Sequence, residues 1–110
     1  MSQPSDSLKL QDAAAATGNG AAMNVTGRAR LGLQLTGTFV ATVTFEATID
    51  GATWVALALT PAGGGAAVTT ATAPGLLAAA VSGFSQFRAR ISAYTSGSIT
   101  VLALATDAAA

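Results

Sequence analysis

The stretch of sequence that decides the fold is FVATVTFEATI, at residues 39–49. Apolar and polar side chains alternate along it, so that Val43 and Phe45 point to one side and Glu46 to the other. This period of two is typical of a β-strand with one buried face, and Thr and Val suit a pleated, half-exposed surface. We therefore predict a strand here. The predicted inward set is Phe39, Ala41, Val43, Phe45, Ala47 and Ile49.

The segments on either side of this strand favour further β-structure. Residues 28–35 also alternate, and the tight turn Thr-Gly-Thr at residues 36–38 follows them, so we interpret residues 28–49 as one long hairpin. The dipeptide Asp50-Gly51 is a strong signal for a second hairpin. It leads into a predicted strand at residues 53–59.

The remaining sequence continues in short alternating segments with turns between them. Predicted strands follow at residues 66–71, 76–81, 84–94 and 98–106. Seven or eight short strands at a regular spacing are typical of an all-β sandwich or barrel. We predict an antiparallel β-sandwich, of jelly-roll type or close to it.

A weak internal repeat supports this layout. The tripeptide Arg28-Ala29-Arg30 recurs as Arg88-Ala89-Arg90, and the same sixty-residue interval separates Gly37 from Gly97. Each copy has an alternating strand, a glycine turn and a second alternating strand. We interpret both as hairpins of the same build, which either duplication or chance resemblance between two hairpins would produce.

The first twenty residues differ in composition from the rest. They begin with a polar, turn-forming stretch, and residues 9–16 are rich in Ala, the best helix former. We predict a short helix there, with Asp6 or Ser7 as its N-cap. Residues 1–20 are therefore interpreted as an N-terminal arm that reaches across a neighbouring subunit, and residues 21–110 as the β-sandwich domain.

The charge content favours association with other proteins. The chain has five basic and five acidic residues, a formal net charge of zero, and 9% charged residues, against about 25% in typical soluble domains. Such a chain has too few charges for electrostatic repulsion to keep its copies apart in solution. An Ala-rich composition would also raise the hydrophobic fraction, but it would not explain the scarcity of Lys, Glu and Asp. We expect a homo-oligomer, with a trimer as the first hypothesis.

The titratable residues offer little to catalysis. The chain has no Cys and no His, so disulfides, thiolate chemistry and the usual zinc sites are not expected. Glu46 and Asp50 could mimic the carboxylate pair of a glycosidase, but a solvated strand face beside a turn explains them better. The only lysine, Lys9, lies on the arm. We therefore predict a protein that is not an enzyme and that has no catalytic residues, cofactor or metal.

Membrane and nucleic-acid partners are not expected either. Residues 51–87 carry no charge, but Pro and Gly interrupt them, whereas a membrane helix needs about 20 predominantly apolar residues. The polar start lacks the pattern of a signal peptide. Four arginines in a neutral chain with one Trp and one Tyr fall short of a basic surface with stacking aromatics.

The candidate functional residues are those suited to a protein interface. A spacing of two places both arginines of a pair on one strand face, where they would anchor carboxylates of a neighbouring subunit or occupy ordinary exposed positions paired with Glu46. Trp54 is either a platform for a sugar or partner side chain, or a cover for a sandwich edge or interface. The predicted interface residues are Lys9, Leu10, Arg28, Arg30, Trp54, Arg88 and Arg90.

Two segments of the sequence resemble sequences common in small β-sandwich proteins of tailed bacteriophages. They are TGTFVATVTFEATIDGATWVAL at residues 36–57 and VSGFSQFRARISAYTSGSITV at residues 81–101. The resemblance covers residues 28–106, although the Ala-rich run at residues 76–80 departs from it. It implies a virion protein of the head decoration or cement type, which packs on the major capsid protein or other virion subunits at the outer surface of the phage head. The alternative is a carbohydrate- or receptor-binding module of a phage tail or adhesin.

Overall fold

The structure, a computed structural model, describes residues 5–106. Within that range the chain forms ten β-strands and no helix, so no described helix is long and apolar enough to cross a membrane. The strands are β1 (Ser5–Ala14), β2 (Met23–Asn24), β3 (Arg30–Thr36), β4 (Phe39–Thr48), β5 (Val55–Ala56), β6 (Thr60–Pro61), β7 (Thr70–Ala71), β8 (Gly75–Ala80), β9 (Gln86–Gly97) and β10 (Ile99–Thr106).

The strands form two antiparallel sheets that pack face to face. The first sheet has the order β1-β10-β3-β8-β6, and the second has β2-β9-β4-β5, with β7 also paired to β4. The predicted all-β antiparallel sandwich is confirmed. The described residues hold ten strands instead of seven or eight because β1, β2 and β6 form in segments where no strand was predicted.

The core lies between the sheets and follows the predicted alternation. Val43 and Phe45 of β4 are fully buried against side chains such as Leu33 of β3 and Phe87 of β9. The inward assignment of Ile49 is wrong, since its side chain is 71% exposed. The strand ends at Thr48, and the chain turns away from the core before Ile49 could enter it.

The predicted hairpin at residues 28–49 is wrong. Strand β3 belongs to the first sheet and β4 to the second, so the turn at residues 36–38 carries the chain from one sheet to the other. Strands β9 and β10 are likewise in different sheets. Both sheets of a sandwich bury one face, so alternation predicts each strand without showing which sheet the next strand joins.

The hairpin at Asp50-Gly51 is confirmed, with a wider loop than predicted. Strand β5 pairs with β4 through Glu46↔Ala56 and Ala47↔Val55. The predicted strands at residues 53–59 and 66–71 shrink to β5 and β7. The turn after β4 extends to Thr53, whose backbone N–H donates to the Asp50 carboxylate at 2.8 Å, and so it takes up residues that alternation assigns to a strand.

The predicted helix at residues 9–16 is wrong, because residues 5–14 form β1 and pair with β10. Leu10 is 1% exposed in the core. Its burial and the sheet hydrogen bonds outweigh the helix propensity of the alanines that follow, because tertiary contacts override local propensity. Gln11 Nε2 donates to Ala89 O at 2.9 Å, and Gly18 bridges to Ile91, so this segment contacts the second sheet as well.

Residues 5–20 of the predicted arm thus lie against both sheets of their own chain. Residues 1–4 of the arm and residues 107–110 of the predicted domain lie outside the described range. The described part of the N-terminal segment contributes an edge strand and a core side chain to the sandwich.

Candidate protein-interaction surfaces

A cluster of charged side chains lies on the outer face of the second sheet. Glu46 on β4 is directly opposite Arg88 on β9. Arg88 Nε donates to Glu46 Oε1 at 2.8 Å, while Arg90 donates through Nε to Oε1 at 3.2 Å and through Nη2 to Oε2 at 3.3 Å. Arg88 and Arg90 therefore share one strand face, as predicted, and both bind Glu46.

Trp54 completes this cluster. The guanidinium carbon of Arg88 lies 4.2 Å from the centre of the indole ring, in cation–π contact. The side chains of Glu46 and Arg88 are 11% and 17% exposed, whereas that of Arg90 is 35% exposed. We call Glu46, Trp54, Arg88 and Arg90 the arginine cluster. Because Arg88 contacts one face of the indole, Trp54 offers less area to a stacked sugar than a free ring would.

The electrostatics of the arginine cluster leave a surplus positive charge. Burial of the Glu46 carboxyl raises its pKa, but hydrogen bonds from Arg90 and Arg88 and their charges outweigh burial and hold the pKa below its ordinary value. Glu46 is therefore ionised at neutral pH. Its one negative charge faces two guanidinium groups, which remain protonated in proteins, so the cluster carries a net charge of +1.

Asp50, at the end of β4, has a structural role in the turn. Its Oδ1 accepts hydrogen bonds from the backbone N–H groups of Thr53 and Ala52 at 2.8 Å and from the Thr48 hydroxyl at 3.0 Å. These bonds lower the pKa of Asp50 to about 2. The two carboxylates that could have formed a glycosidase-like pair each bind other groups, Glu46 in the arginine cluster and Asp50 in its turn.

The outer face of the first sheet is apolar at its centre. Leu76, Leu104 and Leu102 are 55%, 46% and 39% exposed. Gly32 lies between Leu104 and Ala78 in adjacent strands. We call Leu76, Leu102 and Leu104, with Gly32 and Ala78, the leucine face.

The leucine face contains a shallow depression of about 390 Å³. It lies where Gly32 contributes no side chain, and Gln34 is its one polar lining residue. This surface was not predicted from the sequence. The sequence feature that indicates it is that both the inward and the outward positions of β10 are apolar. Leu102 and Leu104 alternate with the buried Val101 and Ala103. Such a strand is typical of burial on both faces.

Two of the other predicted interface residues border the leucine face, since Lys9 on β1 is opposite Leu102 on β10 and Arg30 is two residues before Gly32 on β3. Arg28 Nη2 contacts Asp6 Oδ2 at 2.6 Å, beside the first sheet. Arg30 is exposed at the start of β3. Lys9 forms an exposed 3.8 Å ion pair with Asp12. Leu10 is a core residue, as described above.

Within the described residues, no three side chains of the metal-ligating types His, Cys, Asp and Glu are grouped so that they could hold a metal ion. Buried side-chain polar atoms within residues 5–106 all have hydrogen-bond partners. The Gln11 amide, for example, is buried and donates to Ala89 O and Gly18 O. The chemically distinctive features of the described chain are therefore its two outer sheet faces.

The fold and these surfaces define a small antiparallel β-sandwich with a sparsely charged exterior. Residues 5–105 match the model of the XepA family, and the chain belongs to that family. Comparison with curated proteins found no match.

Two solved structures share the fold. The SPBc2 prophage-derived protein YomS has a TM-score of 0.87 at 15% identity, over 96% of both chains. The PBSX exported protein XepA has a TM-score of 0.91 at 18% identity, over 96% of this chain and 39% of its own. The present chain thus spans about two fifths of XepA. The name of YomS agrees with the resemblance to phage β-sandwich proteins, and neither name refers to head decoration.

Proposed function

We propose that this chain is a structural protein of a bacteriophage particle and that it docks on other subunits through the leucine face. Its specific role is that of a decoration or cement protein, which packs on the major capsid protein at the outer surface of the head. The observation that carries the proposal is the set of three leucines exposed on one sheet face.

The chemistry of the leucine face favours a protein partner. Sugars are held by several placed hydrogen-bonding groups, and Gln34 is the one polar residue lining this depression. An apolar side chain of a coat subunit would fill the space over Gly32, and each leucine would lose its contact with water. Burial of apolar area contributes about 25 cal/mol per Å².

The family comparison supports a phage role with a position outside the cell. YomS is named as prophage-derived and XepA as exported. A decoration protein of the head surface and an exported phage protein both act among assembled proteins or in the medium. The low charge content of the chain, 9% of residues, suits packing in such an assembly.

The test is binding of the purified chain to particles of the phage that encodes it, from which the chain has been genetically removed. The wild-type chain should co-sediment with the particles and saturate at a fixed number of copies. The double variant Leu102→Ser with Leu104→Ser should bind at least about tenfold more weakly, which corresponds to about 1.4 kcal/mol.

The matched control is Val55→Ser, which removes a still more exposed apolar side chain from the second sheet. It should bind like the wild type. Saturable binding that the leucine changes leave untouched would overturn the docking surface, and the absence of any particle binding would overturn the structural role. An isolated trimer with these leucines buried would assign the face to self-association instead.

A further inference from the structure

We propose that the arginine cluster is a binding site for a carboxylate group of a partner protein, on the sheet opposite to the leucine face. This inference goes beyond the proposed function, because it concerns a second surface and a defined chemical group. The ligand is the side chain of an acidic residue or a chain-terminal carboxylate.

The charge of the arginine cluster favours a carboxylate ligand. Glu46 is the acidic residue in contact with Arg88 and Arg90 among the described residues, and it balances one of their two charges. The ion pair of Lys9 with Asp12, by contrast, matches one charge with one. A second carboxylate would neutralise the arginine cluster.

The arginine cluster also has hydrogen-bond donors that a ligand could use. Within residues 5–106, Arg88 makes its hydrogen bond through Nε, and Arg90 makes its two through Nε and Nη2. Both terminal nitrogens of Arg88 and Nη1 of Arg90 therefore have no protein acceptor in the described chain. Guanidinium groups favour bidentate hydrogen bonding to carboxylates.

Contacts within the chain hold the two guanidinium groups in place before any ligand binds. Trp54 stacks on Arg88, and Glu46 holds Arg88 and Arg90 on the same side of the sheet. Less side-chain freedom is then lost on binding, and that increases affinity. Trp and Arg are also the residues that most often dominate binding energy in protein interfaces.

A protein carboxylate fits the site better than a nucleic-acid phosphate. The other two arginines, Arg28 and Arg30, lie on the first sheet or just before its strand β3. The arginine cluster thus has one surplus charge instead of a row of charges along which a phosphate backbone could bind. The chain as a whole is neutral, and affinity for DNA rises with the number of phosphates neutralised.

The experiment is an NMR titration of the whole isotope-labelled chain with the peptide acetyl-Gly-Glu-Gly-amide. The Nε–H signals of Arg88 and Arg90 and the indole N–H signal of Trp54 should shift together and saturate. The matched peptide with Gln in place of Glu should produce no saturable shift. No phage particle is needed, so failure here leaves the proposed function standing, and success here does not depend on it.

Variants distinguish a site from general attraction to positive charge. Arg90→Gln preserves the bond between Arg88 and Glu46, so the chain should stay folded and bind the peptide about tenfold more weakly. Arg90→Lys should bind with intermediate affinity, because it preserves the charge and loses the planar fork. Arg30→Gln, on the first sheet, should bind like the wild type.

Three results would overturn the inference. One is the absence of saturation with the Glu peptide at any of the three signals. Another is an equal loss of affinity in Arg30→Gln and Arg90→Gln. The last is binding of a short DNA oligonucleotide at the same three signals about tenfold more tightly than the Glu peptide, which would assign the site to phosphate.

Discussion

Gly37 and Gly97 occupy equivalent positions in the two segments that cross between the sheets. Each glycine packs against the backbone of the residue that follows the other glycine. A Cβ atom on Gly37 would collide with Ser98 O, and one on Gly97 would collide with Thr38 O. Ser98 N donates to Thr38 O at 3.0 Å, which holds the two crossings together. The sixty-residue repeat in the sequence therefore corresponds to two like crossings that pack on one another.

The pairing of the strands beside these crossings follows the same repeat. Thr36 pairs with Thr100 across β3 and β10, and Ser96 pairs with Val40 across β9 and β4. Ser96 follows Thr36 by sixty residues, and Val40 precedes Thr100 by sixty residues. The two pairs therefore correspond to each other under the repeat. The strand pairs next to the two crossings are thus built alike, up to the β-bulge between Val40 and Ala41.

The substitution Gly97→Ala should lower the free energy of unfolding by about 3 kcal/mol. The φ angle of Gly97 is +89°, which costs an L residue of order 1–3 kcal/mol, and the added methyl overlaps Thr38. Gly37→Ala, at φ +113°, should lower the free energy of unfolding by a similar amount. Urea unfolding measures both. Gly63→Ala is the control, because a Cβ there meets nothing within 4 Å; equal stability of Gly97→Ala and Gly63→Ala would contradict the packing described.

The substitution Glu46→Gln should destabilise the chain by about 2 kcal/mol, the scale of charge-assisted hydrogen bonds. It leaves Arg88 and Arg90 side by side without a counter-charge in a partly buried position. The comparison variant is Asp12→Asn, which breaks the exposed 3.8 Å pair with Lys9 and should change stability by less than about 0.5 kcal/mol. Thermal unfolding that ranks the two variants in the opposite order would contradict the arginine cluster.

Stability should fall as the pH is lowered through the range in which Asp50 and Glu46 take up protons. Both carboxyls have a lower pKa in the folded chain than in the unfolded chain, to about 2 for Asp50. The unfolded state therefore binds more protons, and stability rises with pH. The contribution of Asp50 is complete above its unfolded pKa of about 4 and is lost as the pH falls towards 2.

This pH dependence can be assigned to Asp50 with one variant. Asp50→Asn retains an oxygen that can accept the turn hydrogen bonds, but it does not titrate. Urea unfolding at a series of pH values between 7 and 2.5 should give a shallower loss of stability for Asp50→Asn than for the wild type. Identical slopes would show that the turn bonds do not lower this pKa.

The N-terminal strand should be essential to stability. Leu10 is 1% exposed and Leu8 is 40% exposed on the same strand. Leu10→Ala should cost about 2–5 kcal/mol, as for other buried leucines, whereas Leu8→Ala should cost much less. Denaturant unfolding of the two variants measures the difference. Equal, small effects would mean that residues 5–14 detach from the sheet and behave as a free arm.

Local alternation was enough to predict the strands that bury one full face. Val43 and Phe45 are in the core as predicted, and strands β8, β9 and β10 lie close to their predicted positions. Pairing between strands is a long-range property. For that reason the sequence did not show that the chain changes sheets at Gly37, or that β1 pairs with β10 at the far end of the chain.

The candidate surfaces were predictable to different degrees. The spacing of Arg88 and Arg90 predicted their common face, and pairing with Glu46 was one of two interpretations. The contact of Trp54 with Arg88 depends on the turn after β4, which sequence spacing does not determine. The leucine face escaped prediction because Leu76 and Leu102 belong to strands far apart in sequence, which β3 brings together in the sheet.

The most direct test of the central claim is hydroxyl-radical footprinting of the chain on intact phage particles, compared with the free chain. Leu76, Leu102 and Leu104 should be oxidised at least about tenfold more slowly on the particle, because docking removes them from water. Val40 and Val55 are exposed on the second sheet. Their oxidation rates are the comparison for side chains outside the leucine face. Leucines that stay as reactive on the particle as in solution, or particles that lack the chain, would contradict the account.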